Sequence, residues 1–180
     1  MSKASEHLWL ITECYVDTAL ACALLGVNGV NHQSSCDNVC ITMQKRFADS
    51  FAVGIIDDDK RKPSYVNEFD NIGSASHIIL KKHKSKTHYL ILISKAVEDF
   101  ILFCANEAIV NLVVYGLPSD MEGFKMHTKT AGAASDPVFK RLFRALRHSG
   151  QMQLLQSILT RLNKDNYRTN TQQLMALFDN

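Results

Sequence analysis

A chain of 180 residues with 46% hydrophobic content has the size of one domain, able to bury roughly two thirds of its unfolded surface around a single core. Three Pro, eight Gly and the lack of any Ser/Gly tract or internal repeat exclude a collagen-like, low-complexity or disordered chain. The net charge is only +2 but unevenly placed: residues 1–122 hold 11 Lys/Arg against 15 Asp/Glu and residues 123–180 hold 9 against 3, an asymmetry that suits a metal site and a polyanion contact on different elements, with a pair of solvated helix faces as the alternative.

From the amino terminus, Leu8-Trp9-Leu10-Ile11 is too short for a signal-peptide core, and no stretch approaches the roughly 18 to 20 apolar residues that span a bilayer. The expectation is a cytoplasmic protein without membrane contact. Five cysteines, Cys14, Cys22, Cys36, Cys40 and Cys104, match no disulfide framework and suit a reducing compartment. Cys36 and Cys40 share a helix face near His32, but with no second ligand pair they read as buried apolar groups rather than a zinc site.

Leu8 to Thr12 is a continuous apolar run of the kind that forms a strand covered on both faces, and it ends at Glu13. Val16 to Leu25 reads as a helix stopped by Gly26. Residues 29–32 form a brief second strand, and an N-cap at Ser35 or Asp37 opens a helix to about Ala48 with Val39, Met43 and Phe47 inward. Phe51 to Ile56 is the clearest buried strand. It runs straight into Asp57-Asp58-Asp59-Lys60.

Lys60 to Gly73 is polar and turn-rich, and His77 to Leu80 is a short strand before a basic loop, Lys81 to Lys86. His77, His83 and His88 scatter around this hairpin in structural or surface roles. Tyr89 to Ile93 is a further core strand, whose end feeds Ser94 to Asp99 and a helix over Phe100 to Ala108. After a loop around Gly116, Pro118 and Gly132, helices are expected over Asp136 to His148, Gln151 to Leu162 and Thr171 to Phe178. The order β-α-β-α-β predicts an α/β fold with a mostly parallel sheet and helices on both faces. The whole chain, 1–180, reads as one domain with a core over about 8–109 and a helical extension over about 110–180.

Acids at the ends of two core strands are the feature that points to chemistry. Asp57 and Asp59 share one side of an extended segment, and Glu13 joins them if the two strands are neighbours. Clustered carboxylates select a hard cation such as Mg²⁺, Mn²⁺ or Ca²⁺. Asp17 reads as a helix-start acid favoured by the dipole, with an outer role behind the cation as the alternative. Lys140, Arg144 and Arg147 lie at helical spacings on one face, and with Lys60, Lys81 and Lys82 they are the candidate phosphate contacts. An ordinary solvated face is the alternative for them.

Glu13-Cys14-Tyr15-Val16-Asp17, between an apolar strand and a helix, resembles the Glu-Gly-x-x-Asp element of toprim domains, and Asp57-x-Asp59 resembles their Asp-x-Asp element. The likeness spans about residues 8–109 and departs from the family at Cys14, where a glycine is usual. It implies a Rossmann-like toprim fold in which Glu13, Asp57 and Asp59 are catalytic and hold Mg²⁺ or Mn²⁺. Glu98, in a segment similar to a further acidic element of nuclease-type members, is implied as an additional metal ligand. The implied activity is cleavage of DNA or RNA phosphodiester bonds, closest to nucleases of the overcoming-lysogenization-defect type and to bacterial antiviral defence systems. The alternative is a non-catalytic toprim-like subunit acting with an ATPase partner, and self-association is open in either case. No Walker A, Gly-x-Ser-x-Gly or Gly-x-Gly-x-x-Gly pattern supports other chemistries.

Overall fold

Strands that are apolar at every position need cover on both faces, and the chain supplies it. A computed structural model describes residues 7–58 and 61–179. Four strands run parallel: β1 (Leu10–Thr12), β2 (Asn31–His32), β3 (Ala52–Asp57) and, after a hairpin, β6 (His88–Ile93). The hairpin is β4 (Phe69–Ser74) and β5 (Ile78–His83), with β5 antiparallel to β6. The result is one mixed, mostly parallel six-stranded sheet in the order β2-β1-β3-β6-β5-β4.

The helices among the described residues are α1 (Tyr15–Leu25), α2 (Cys36–Arg46), α3 (Val97–Glu107), α4 (Met121–Thr128), α5 (Pro137–Ala145), α6 (Gly150–Asp165) and α7 (Thr171–Met175). Side chains alternate across a strand, so β3 and β6 divide their residues between two cores. Val53, Ile55, Tyr89, Ile91 and Ile93 meet Leu20 and Leu24 of α1, Phe100 and Ile101 of α3, Leu142 of α5 and Leu155 of α6. On the opposite face Ala52, Ile56, Leu90 and Leu92 meet Val39, Cys40 and Met43 of α2, together with Tyr65 and Phe69. Helices therefore lie on both faces, as the strand composition requires. α2 can lie close because Gly54 has no side chain: a Cβ there would sit 2.7 Å from Leu90 Cδ2 and 2.9 Å from both Met43 Sδ and Val39 Cγ1.

Chain direction reverses around β1. α1 leads from β1 to β2 on one face, and α2 returns past β1 to β3 on the other. The carboxyl ends of β1 and β3 thus flank a topological switch point, where loops part and leave a crevice.

Three expectations are corrected. The segment read as a turn-rich loop, Lys60 to Gly73, contains a 3₁₀ turn at Ser64–Glu68 and then β4, an edge strand anchored by buried Phe69 and by Ile72, which packs in part against the main core, while Asp70, Asn71 and Ser74 are exposed. Lys81 and Lys82, read as loop, belong to β5. The loop assigned around Pro118 contains α4, capped by Asp120, whose Oδ1 accepts the Gly123 N–H at 2.8 Å, and held by buried Phe124 and Thr128. Cys36 and Cys40 are buried in the second core, in the apolar role expected.

Candidate active site

The switch point brings two of the sequence-predicted acids together. Glu13 follows β1 and its N–H donates to Ile55 O at 3.2 Å, extending the pairing of β1 with β3. Its carboxylate then accepts the Asp57 N–H on Oε2 at 3.0 Å. Asp57, the last residue of β3, accepts on Oδ1 the N–H of Val97 at 2.9 Å. That bond explains how α3 starts. Its N-cap residue is Ala96, which has no side-chain oxygen, and the carboxylate from the neighbouring strand takes over the capping role at a helix end that favours negative charge.

Glu98, one residue further on, is buried and its Oε1 accepts the Thr128 hydroxyl at 2.6 Å. The same bond ties α4 to α3. Asp59 and Lys60 lie outside the described residues, so their expected roles have no structural counterpart here.

Asp17 is wholly buried behind these acids. It closes a capping box with Cys14: the Cys14 N–H and Sγ–H donate to Asp17 Oδ2 at 3.2 and 3.0 Å, and the Asp17 N–H donates back to Sγ. Asp17 Oδ1 has no hydrogen-bond partner. Burial, and then the negative charges of Asp57, Glu13 and Glu98, push its carboxyl well above the usual carboxylate range. Burial likewise pushes the Cys14 thiol up, so it is a cap rather than a nucleophile. With φ at −136°, Cys14 occupies a conformation open to any residue, so the position does not require the glycine usual in the resembling family.

A pocket of about 340 Å³ opens over these acids. Glu13, Asp57 and Glu98 line it on one side, Lys125 and Lys129 of α4 and its C-cap on another, and Tyr15, His32 and Ser34 on a third. The two lysines are four apart and so share a helix face. Sequence reading missed them because α4 was taken for a loop; Pro118 and the capping Asp120 ahead of Phe124 were the available signal.

The other basic candidates lie elsewhere. Lys82 pairs with Tyr89 in the register of β5 and β6, four residues or roughly 13 Å along the strand from the end that carries the pocket. Its Nζ donates to the carbonyls of His83 and Lys86 and sits 5.3 Å from the Tyr89 ring centroid, so it is engaged in the hairpin. Lys81 is its neighbour on the opposite sheet face. Lys140, Arg144 and Arg147 are exposed on α5 and its 3₁₀ extension. Lys140 lines a separate cleft with Cys22 and Gly26, and Arg147 Nη2 donates to Ala23 O at 3.1 Å, which sets this face beside the far end of α1.

Among the described residues no group of three or more His, Cys, Asp or Glu side chains is arranged to hold a metal ion. Glu13 and Asp57 remain as two acids that line one pocket and are joined through the Asp57 amide. Such a pair matches the needs of Mg²⁺, which keeps several waters and takes one or two carboxylates plus substrate phosphate, better than those of a metal caged by protein alone.

No family model, curated protein or solved structure matches this chain.

Proposed function

We propose that the switch-point pocket is the active site of a nuclease-type, toprim-like domain that cleaves nucleic-acid phosphodiester bonds with Mg²⁺ or Mn²⁺, in the manner of an antiviral effector. The observation that carries this reading is the shared pocket: linked acids Glu13 and Asp57 on one side, Lys125 and Lys129 on the other. Acids alone would repel a phosphate and lysines alone would only bind one. Together they suit a phosphodiester approached by a cation.

Glu13 and Asp57 would hold the ion, with Glu98 beside them. The bound ion supplies charge neutralisation at the phosphate and lowers the pKa of a water. Glu13, whose Oε2 accepts the Asp57 amide, would in the alternative role act as general base toward an attacking water. Lys125 and Lys129 would orient the phosphate and offset the charge that grows on its oxygens. Burial, and then the charges of Asp57, Glu13 and Glu98, raise the pKa of Asp17 and so disfavour a further negative charge beneath the pocket.

The test uses Asp57→Asn, which retains an Oδ1 acceptor for Val97 and so the seat of α3. Purified protein is incubated with plasmid, single-stranded DNA and RNA in Mg²⁺, Mn²⁺ or EDTA. Cleavage should require the metal and fall by at least about 100-fold in the variant, the order lost when one electrostatic group is removed from a site. Metal-dependent cleavage that survives the substitution would defeat the reading.

One surface favours the second reading, a non-catalytic subunit working with an ATPase. Ile109 is 94% exposed, and Val113 and Val114 beside it in sequence are exposed as well, an apolar patch of the kind that protein partners cover. Recovery of the protein with an ATPase, together with inertness in the cleavage assay, would select that reading.

A further inference from the structure

The third wall of the pocket is aromatic. Tyr15, the first residue of α1, and His32, at the carboxyl end of β2, stack with ring centroids 4.1 Å apart and planes 19° from parallel, and both line the pocket that holds Glu13, Asp57, Lys125 and Lys129. The stack is fixed from behind. Thr18 Oγ1 donates to Cys14 O at 3.0 Å and lies 2.7 Å from Thr12 Oγ1 and 3.3 Å from His32 Nδ1. With its own proton directed to Cys14 O, the Thr18 oxygen can accept from Thr12 and lies within hydrogen-bond reach of His32 Nδ1, which holds the ring in place. Burial lowers the pKa of His32 and favours the neutral ring.

Tyr15 packs in part against the main core, as do other half-buried rings such as Trp9 and Phe103, and both Tyr15 and His32 keep part of their surface uncovered at the pocket. A flat, rigid, uncharged aromatic surface next to a carboxylate and lysine site is the arrangement that receives an unpaired base while its phosphate is held alongside. Bases inside a duplex present only their edges, whereas stacking on Tyr15 or His32 needs an unpaired base.

We infer that the Tyr15–His32 stack is a nucleobase platform and that the substrate of this pocket is single-stranded nucleic acid, one base of which lies on the stack while its phosphate lies between the lysines and the acids. This deepens the nuclease reading and rests on it.

Binding is measured by fluorescence anisotropy in Ca²⁺, an oxygen-seeking ion that replaces Mg²⁺, with short labelled single-stranded DNA, single-stranded RNA and the corresponding duplexes. A second series carries one abasic nucleotide moved along the strand. Single strands of DNA or RNA should bind more tightly than the duplex, and the abasic series should show one position at which affinity falls by roughly five-fold or more, the lower end of base–aromatic stacking. Tyr15→Ala should erase that dip and Tyr15→Phe should preserve it. Equal affinity for duplex and single strand, a flat abasic series, or a dip that persists in Tyr15→Ala overturns the inference. The abasic series uses the unaltered protein, so its outcome does not depend on how a variant folds. Cleavage lost in Asp57→Asn but unchanged in Tyr15→Ala sinks the platform and leaves the nuclease standing; a base-dependent dip without metal-dependent cleavage upholds the platform and sinks the nuclease.

Discussion

Thr128 shows how much of the pocket depends on single bonds. Its hydroxyl donates to Glu98 Oε1 at 2.6 Å where both side chains are buried, so removing the donor takes this bond from a carboxylate oxygen with little access to solvent. Thr128→Val, close in shape, should cost about 1–3 kcal/mol in urea unfolding, whereas Thr128→Ser should retain most of it. An unchanged midpoint in the valine variant would mean that the oxygen finds another donor. Glu13 and Asp57 were legible in the sequence because each ends an apolar run, a local signal. Thr128 was not, because its value comes from a contact across thirty residues that no periodicity announces, and Lys125 and Lys129 were not, because the short helix that carries them was read as loop. His32 attracted notice only for its nearness to Cys36, and its actual neighbour, Tyr15, is set by β2 pairing alongside β1.

At the scale of elements, β3 and α2 meet through an absence. Gly54 lets Met43, Val39 and Leu90 close over the strand, and even one methyl group would press on all three. Gly54→Ala should lower stability by about 1–3 kcal/mol through overpacking, read as a shifted denaturation midpoint. The sequence made this strand and helix plain: Ala52 to Ile56 is apolar throughout, and α2 carries its buried residues one turn apart. The 3₁₀ turn and β4 were hidden for the opposite reason. In β4 only Phe69 is buried, so an edge strand built from Asp70, Asn71, Gly73 and Ser74 has the composition of a loop and is strand only because β5 pairs with it.

At the scale of the whole molecule, the sheet separates two polar clusters. Opposite the carboxylates, His88 is fully buried where its Nε2 meets the carbonyls of Phe47 and Ser50 at 2.8 and 3.1 Å, while Nδ1 lies 2.6 Å from the Tyr65 hydroxyl. Burial first, and then the nearby His83 and Lys86, lower its pKa from 6.5. A base held neutral in the fold but free to take a proton when unfolded contributes stability that is complete above the unfolded value and is lost as pH falls below it. Asp17, shifted upward, acts in the other direction, gaining relative stability as pH falls. The comparison of wild type with His88→Gln isolates the histidine: urea unfolding at pH 7.5 and 5.5 should show a steeper acid-side decline in wild type. Parallel declines would remove His88 as the cause. This cluster could be anticipated only in part, since the sequence showed histidines near a hairpin but not that the hairpin turns them inward.

Asp57 grips Val97, and the next residue along that helix is Glu98, which in turn grips Thr128, one residue ahead of Lys129. Floor and rim of the pocket are thereby joined in series, like links in a short chain. Removing the Asp57 carboxylate would therefore unseat the start of that helix as well as delete an acid, so damage done at the floor need not stay there.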